Sequence, residues 1–559
     1  MPTKKGGSAL TISYRDLFFF IYFAIMFGMR MWGVYEGTIL YGPMLIIGFA
    51  FWGMSVLMTE HTVFEYIVMA AFIALAGVVY LNTGEKGLLL YFTLMLGMKN
   101  VDVKKLFGFG AIVGSLGMAC LTFLTSFGFV EDAAYIQERR FVGLVFRHSL
   151  GMPHPSTLSS SFAIITVMIM YVMGRGDRKK VWKTSALMAA VALYLFIYSG
   201  SRTGILITWG FLALNLVYTY RENLGIVEKL VAALMFPIIW IITIALPVLT
   251  SEDTIERLLK IDNNLMVRLL VGKSYLQQNS ITLFGSRLVS DHPRYGLYGI
   301  DLSQLYLLLN LGLVAFVVVT ALTICLVICE IRENMIPEFV ITVLFFIMGV
   351  TDPFLYNLSF KNICFAFMGL MVYRYLGQVS ERLPGWMNVR IFPVGIGNRK
   401  LKMGLPGWTD GLGKQLARIS AAKREFIVVA LLTLATTAAV VTYCDGETPS
   451  YVLADRNTSE NIVIEGLEGR KYTQQEIRDI EDQGNIVLNY TDEDELMFVY
   501  YSDEENPVEG GFYARYAPLV EKVRKSISVF FWGTFIAIAF AKAAGVTAKI
   551  KRKQGQASV

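Results

Sequence analysis

The feature that most constrains this chain is a series of long apolar runs separated by short polar breaks. Runs of roughly 18–25 apolar residues match the length a helix needs to cross a bilayer. In hydrocarbon a backbone must satisfy its own hydrogen bonds, so such runs fold as helices. The composition agrees: 55% of the 559 residues are hydrophobic and only 17% are charged, against about a quarter charged in soluble domains. The sequence therefore predicts an all-α polytopic membrane protein of about fourteen transmembrane helices. Their expected limits are 17–31, 39–58, 62–81, 87–98, 106–130, 157–173, 183–199, 203–220, 226–250, 304–329, 336–351, 362–376, 426–443 and 527–546. The first run follows a short basic segment and reads as an uncleaved span.

Charge assigns the sides. With the N-terminus inside, the inner loops hold Lys99, Lys104 and Lys105, then Arg175, Arg178, Lys179 and Lys180, and the tail Lys549–Lys553. Residues 378–424 carry nine Lys/Arg against two acids. This is the positive-inside pattern, with both termini cytoplasmic. Three outer segments remain: loop 131–156, loop 251–303 and segment 444–526. The last has nineteen acids against eight Lys/Arg. A helix-like stretch (Tyr472–Glu481) and two strand-like runs (Asn485–Tyr490 and Glu495–Tyr501) make it a small extracytoplasmic α+β domain between the last two spans. The expected organisation is a core over 1–376, a basic cytoplasmic segment over 377–425 and a two-helix module over 426–559.

Basic residues on the outer side run against that bias and so mark candidate chemistry. Arg202 sits in the tight turn Ser199-Gly-Ser-Arg-Thr-Gly204 between two spans, where a cation is costly unless it meets an anion. Snorkelling to headgroups is the plainer reading of the same residue. Loop 131–156 packs Arg139, Arg140, Arg147, His148 and His154 around two prolines. A solvated basic loop is the alternative. Guanidinium forks suit phosphate oxygens because they donate in pairs, so Arg140, Arg147, Arg202, Arg268 and Arg287 are candidate diphosphate ligands. His154, His292 and Asp301 are candidate bases. In loop 251–303, Leu258, Leu259, Met266, Leu269 and Leu270 suggest short amphipathic helices at the interface. No Walker motif, dinucleotide fingerprint or HExxH occurs. The five cysteines form no CxxC pair, which argues against a zinc site or disulfide scaffold.

Taken together, Arg140…Arg147…Met152-Pro-His154-Pro155, the Ser199–Gly204 turn, Val267-Arg268-Leu, Leu283-Phe-Gly285 and Gly299-Ile-Asp301…Tyr306…Gly312 resemble the Wzy-type polysaccharide polymerases and the related O-antigen ligases over roughly residues 14–376. The resemblance implies a GT-C-type membrane glycosyltransferase in the bacterial plasma membrane. It implies an undecaprenyl-diphosphate-linked oligosaccharide as donor and a second such repeat unit as acceptor, building a capsular or exopolysaccharide. It implies no cofactor, metal, nucleotide sugar or nucleic-acid partner. Transfer to a wall or protein acceptor is the ligase alternative. A lipid-linked oligosaccharide flippase and a non-enzymatic scaffold are the alternatives of other classes. The acidic C-terminal module departs from the resemblance, and a chain-length regulator or wall-attachment protein is its expected partner.

Overall fold

The computed structural model describes residues 10–391 except 127–128, 131, 133, 140–142, 252–253, 256–262, 290–298, 352–355 and 357–360. Beyond these it describes 400–403, 451–455, 486–490, 496–503, 506–515, 524, 527–528 and 530–533. Contacts divide the chain into two units: residues 11–122 with 149–401, and residues 1–10 with 123–148 and 402–559.

The larger unit is helical. Its helices are α1 (Tyr14–Met31), α2 (Tyr41–Leu57), α3 (Val63–Thr83), α4 (Gly87–Leu96), α5 (Val103–Ser126), α6 (Pro155–Met173), α7 (Arg178–Ser199) and α8 (Arg202–Tyr218). They continue as α9 (Ile226–Leu249), α10 (Asn263–Gln278), α11 (Ser303–Leu309), α12 (Leu313–Arg332), α13 (Ile336–Met348) and α14 (Cys364–Ser380). The last few residues of α5 fall in the smaller unit. Six of them (α3, α5, α6, α7, α9 and α12) are long and apolar enough to cross a membrane, and α2, α4, α8 and α13 are shorter apolar helices. The chain is thus a mostly helical membrane protein. Among the expected spans, 426–443 lies outside the described residues, as does most of 527–546.

Local sequence sets the helix ends. Thr62 and Glu65 form a reciprocal capping box at α3, and the Asp177 side chain accepts from the Lys180 N–H at α7. Between helices, glycines remove the Cβ atoms that close approach would forbid. A Cβ on Gly369 would lie 2.3 Å from the Met95 carbonyl oxygen, and one on Gly97 2.1 Å from the Phe19 ring. Aromatic rings fill the resulting core: Phe19, Tyr22, Phe23, Phe27, Tyr91, Phe92, Phe107 and Phe365 are all fully buried. Tyr91 stacks on Phe365 at 4.8 Å, and the Tyr22 hydroxyl shares a 2.7 Å hydrogen bond with Thr93.

Contacts sort the turns: Lys86 pairs with Glu36, Asn82 donates to Phe284, the Ser303 N–H donates to the Gly349 carbonyl, and a Cβ on Gly33 would meet the Gly151 carbonyl just before the α6 start that packs on Ser199 and Gly204. Turns 32–40, 84–86 and 200–201 therefore gather at one end, here the Gly200 end, with Phe284, Ser303 and Gly349. Turns 58–62, 97–102, 174–177, 219–225 and 333–335 gather at the other, the His61 end.

Two expectations need correction. The run 304–329 is not one helix: it breaks at Asn310-Leu311-Gly312, where Gly312 takes φ +92. The short leading piece, α11, is buried along its whole length. The segment 282–285 fills the gap, because the Leu313 and Val314 N–H groups donate to the Thr282 and Leu283 carbonyls (2.9 and 3.0 Å). These bonds satisfy two of the orphan donors at the start of α12. The approach is so close that a Cβ on Gly285 would stand 2.1 Å from the Asn310 carbonyl oxygen. Likewise Leu269, Leu270 and Val271 of α10 are buried in the protein rather than laid on lipid. Gly272 brings α10 onto Leu302, Leu305 and Pro247.

In the smaller unit, strand Ala134–Arg139 pairs antiparallel with strand Gly143–His148, with Ala134 opposite His148. A four-stranded antiparallel sheet runs in the order Tyr451–Asp455, Asn506–Arg515, Leu496–Asp503, Ile486–Tyr490. Its last two strands lie where strand-like runs were expected. The expected helix 472–481 lies outside the described residues.

Candidate functional site

The Gly200 turn is built from small residues for a packing reason. Gly200 closes α7 in the left-handed region at φ +57, and its N–H donates to the Phe196 carbonyl. Ser201 caps α8 by accepting from the Gly204 N–H. Ser199 Oγ accepts from the Ser201 N–H (3.2 Å) and shares a 2.9 Å hydrogen bond with Ser159 Oγ on α6. A Cβ on Gly204 would fall 2.2 Å from Ser159 Cβ, so α8 approaches α6 only because this residue is glycine. This knot fixes Arg202 as the exposed first residue of α8. Among the described residues no hydrogen bond or ion pair neutralises its guanidinium. A cation there faces the positive end of the helix dipole, so helix stability does not account for it.

Arg268 and Asp301 are 33 residues apart in sequence and meet: Arg268 Nε donates to Asp301 Oδ2 at 3.0 Å. Asp301 is therefore the counter-ion of Arg268 and orients that guanidinium. Arg287 is exposed on the loop after α10, which is fastened by paired Asn279–Val289 hydrogen bonds (2.8 and 2.9 Å). His292 and Arg140 lie outside the described residues.

His154 serves as the N-cap of α6, its Nδ1 accepting from the Ser156 N–H at 3.1 Å with Pro155 in the first helical position. An Nδ1 that accepts leaves the proton of the neutral ring on Nε2. In that state Nε2 is a donor, and accepting a proton at Nδ1 would forfeit the cap. In the smaller unit, Arg147 and His148 are adjacent on one strand and so point to opposite faces. His148 Nδ1 lies 2.8 Å from Asp132 Oδ2. A carboxylate on Nδ1 fixes ring orientation and tautomer and stabilises the imidazolium once a proton arrives. Asp132 escaped the sequence reading; only the strand register, which puts His148 at the end beside residue 132, selects it.

Glu85 also escaped it. It sits in the charged turn Asn82-Thr-Gly-Glu-Lys86, at the Gly200 end between α3 and α4. Burial pushes its carboxyl above the ordinary range, the neighbouring Tyr306 opposes this, Glu36 adds to it, and Lys86 and Asn310 oppose it. The Tyr306 hydroxyl, close to the carboxyl, still makes no hydrogen bond of good geometry. Gln304 is fully buried, and among the described residues neither of its amide atoms has a hydrogen-bond partner. Lys86 pairs with Glu36 and lies 5.9 Å from the Tyr41 and Tyr80 ring centres. The Asn82 amide donates to the Phe284 carbonyl, which joins this turn to the segment that fills the helix break.

One end of the helical unit thus holds a guanidinium with no counter-ion among the described residues, an oriented Arg–Asp pair and a half-buried carboxyl whose pKa burial raises. A guanidinium can bind an anion, and a carboxyl of raised pKa can exchange a proton with a hydroxyl. No protein-family model, curated protein or solved structure matches this chain.

Proposed function

We propose that the chain is a membrane glycosyltransferase that polymerises undecaprenyl-diphosphate-linked oligosaccharide repeat units into a surface polysaccharide. The reaction runs at the outer face of the bacterial plasma membrane, the Gly200 end, with both termini cytoplasmic. The observation that carries this reading is Arg202: an exposed cation with no partner among the described residues, at a helix start, on the end where the basic bias is unexpected. The Arg268–Asp301 pair at the same end supports it.

In the proposed step an acceptor hydroxyl attacks the anomeric carbon of the donor. The bond from that carbon to the diphosphate oxygen breaks with inversion, and the electron pair leaves on undecaprenyl diphosphate. Arg202 and Arg268 stabilise the negative charge as it develops; Arg140, Arg147 and Arg287 are the other candidate diphosphate ligands. The hydroxyl proton passes to a base; Glu85 joins His154, His292 and Asp301 as a candidate, since its raised affinity for protons suits that work. The C-terminal module is assigned to a chain-length regulator or wall-attachment protein. The test is a strain carrying Arg202→Ala at wild-type membrane level, with lipid-linked glycans and surface polysaccharide both sized. Single lipid-linked repeats with little polymer are expected. Long polymer left on its lipid carrier would indicate a ligase, and normal polymer would remove Arg202 from the mechanism.

A second reading, a lipid-linked oligosaccharide flippase, is favoured by the buried half-helix α11 and the break at Asn310–Gly312. Discontinuous helices are frequent in transporters. Labelled lipid reaching the outer face with no new glycosidic bond would select it.

A further inference from the structure

At the His61 end, α14 does not simply run out into solvent. The chain turns back after Ser380 and is tied down: the Met387 N–H donates to Pro384, and the Asn388 amide donates to the Ser380 carbonyl. Residues 390–391 then pair with Thr62 and His61 as a short antiparallel bridge. The Val63 N–H donates to the Val389 carbonyl at 3.1 Å, and Arg390 reaches Glu60 at 3.1 Å. This strap is fixed, yet it turns Trp386 (58% exposed), Val389 (55%) and Ile391 (45%) outward. Three exposed apolar side chains within six residues of one tied segment make a candidate contact with a partner of their own polarity.

The partner is set by depth and charge. Val63, which holds the strap, is the first residue of a 21-residue apolar helix with mean hydropathy 2.1. The strap therefore lies level with the point where α3 enters the hydrocarbon. Exposed aromatic residues occur at the same end of the helical unit: Trp182 of α7 donates to the hydroxyl of Tyr220, just after α8, at 3.0 Å, and Arg178 lies over the Tyr220 ring. Trp and Tyr collect at the headgroup level because their rings are apolar with a polar edge. The strap also belongs to a basic stretch of sequence, with nine Lys/Arg against two acids over 378–424. Lys and Arg next to a membrane surface favour anionic headgroups.

We propose that the strap Leu383–Ile391 is a membrane-surface contact that seats Trp386, Val389 and Ile391 among lipid headgroups and selects anionic phospholipid. It rests on no assumption about the reaction at the opposite end. The test uses the full chain in proteoliposomes of phosphatidylcholine and phosphatidylglycerol in equal parts, with a benzophenone amino acid in place of Trp386. After illumination the adducts are identified by mass. Phosphatidylglycerol adducts outnumbering phosphatidylcholine adducts several-fold are expected. Adducts in proportion to the mixture would overturn the charge selection. Adducts to protein alone in native membranes, or none to lipid, would overturn the contact itself. Should that variant fail to fold, Trp386→Ser serves. It is expected to melt like wild type in phosphatidylcholine and to lose the extra stabilisation phosphatidylglycerol gives; an unchanged phosphatidylglycerol effect would overturn the proposal.

Discussion

Replacing Gly285 by alanine tests whether the 282–285 segment locks the broken helix. Gly285 has φ +79, and an added Cβ would meet the Asn310 carbonyl oxygen at 2.1 Å and Thr83 Cγ2 at 2.8 Å. The left-handed backbone costs a non-glycine residue about 1–2 kcal/mol, and overpacking against backbone that cannot yield costs about 1–3 kcal/mol. Retreat from the clash would stretch the two hydrogen bonds to Leu313 and Val314, about 0.5–1.5 kcal/mol each. Relaxation makes these terms less than additive, so the expected loss is about 3–6 kcal/mol. Two controls divide the effect. Gly37→Ala has the strain (φ +102) with nothing within 4 Å, and Gly53→Ala in α2 has open space and no positive φ. Thermal unfolding in detergent, followed by intrinsic fluorescence, should rank Gly53→Ala at or above wild type, Gly37→Ala slightly below, and Gly285→Ala far below. If Gly285→Ala melted with Gly37→Ala, the close approach would not be holding the break, and the packing argument would fail.

Three further outcomes follow from the site. Glu85 binds its proton more tightly folded than unfolded, so its contribution to stability is present at low pH and falls as pH rises from about 4.5 through its folded pKa; Glu85→Gln should flatten that part of a melting-temperature profile, and an unchanged profile would show that the carboxyl is not desolvated. Arg268→Ala and Asp301→Ala should each weaken the protein, and the double variant should be no worse than the sum less about 0.5–1 kcal/mol, the pair being partly exposed; strict additivity in denaturation would deny the pairing. His154→Ala should cost about 1 kcal/mol through loss of the α6 cap, while His154→Asn should restore most of it; equal melting of both variants would refute the cap.

The helix limits were largely legible because burial in lipid demands apolar length, and length survives in a single sequence. α6, α7 and α9 end within a few residues of where hydropathy put them. The break in the tenth run was not legible, since Leu305–Leu309 and Leu311–Leu313 stay apolar across it and only the φ of Gly312 reveals it. Strands Ile486–Tyr490 and Leu496–Asp503 showed their alternation, whereas Tyr451–Asp455 and Asn506–Arg515 did not stand out from an acidic segment. At the site, sidedness singled out Arg202, because a misplaced charge is visible in sequence. The Arg268–Asp301 pair and the Glu85–Tyr306–Asn310 group were hidden, as their partners come from distant elements that only the fold brings together. Asp132 was hidden for the same reason.

The most direct test of the central claim is made with the purified full chain in proteoliposomes loaded with undecaprenyl-diphosphate-linked repeat units from the producing strain. Glycan length and released undecaprenyl diphosphate are measured together. The account predicts a ladder of lengthening glycans, with one undecaprenyl diphosphate released per bond formed, and loss of both with Arg202→Ala. Lipid crossing the bilayer with no new bond, or a ladder untouched by Arg202→Ala, would contradict it.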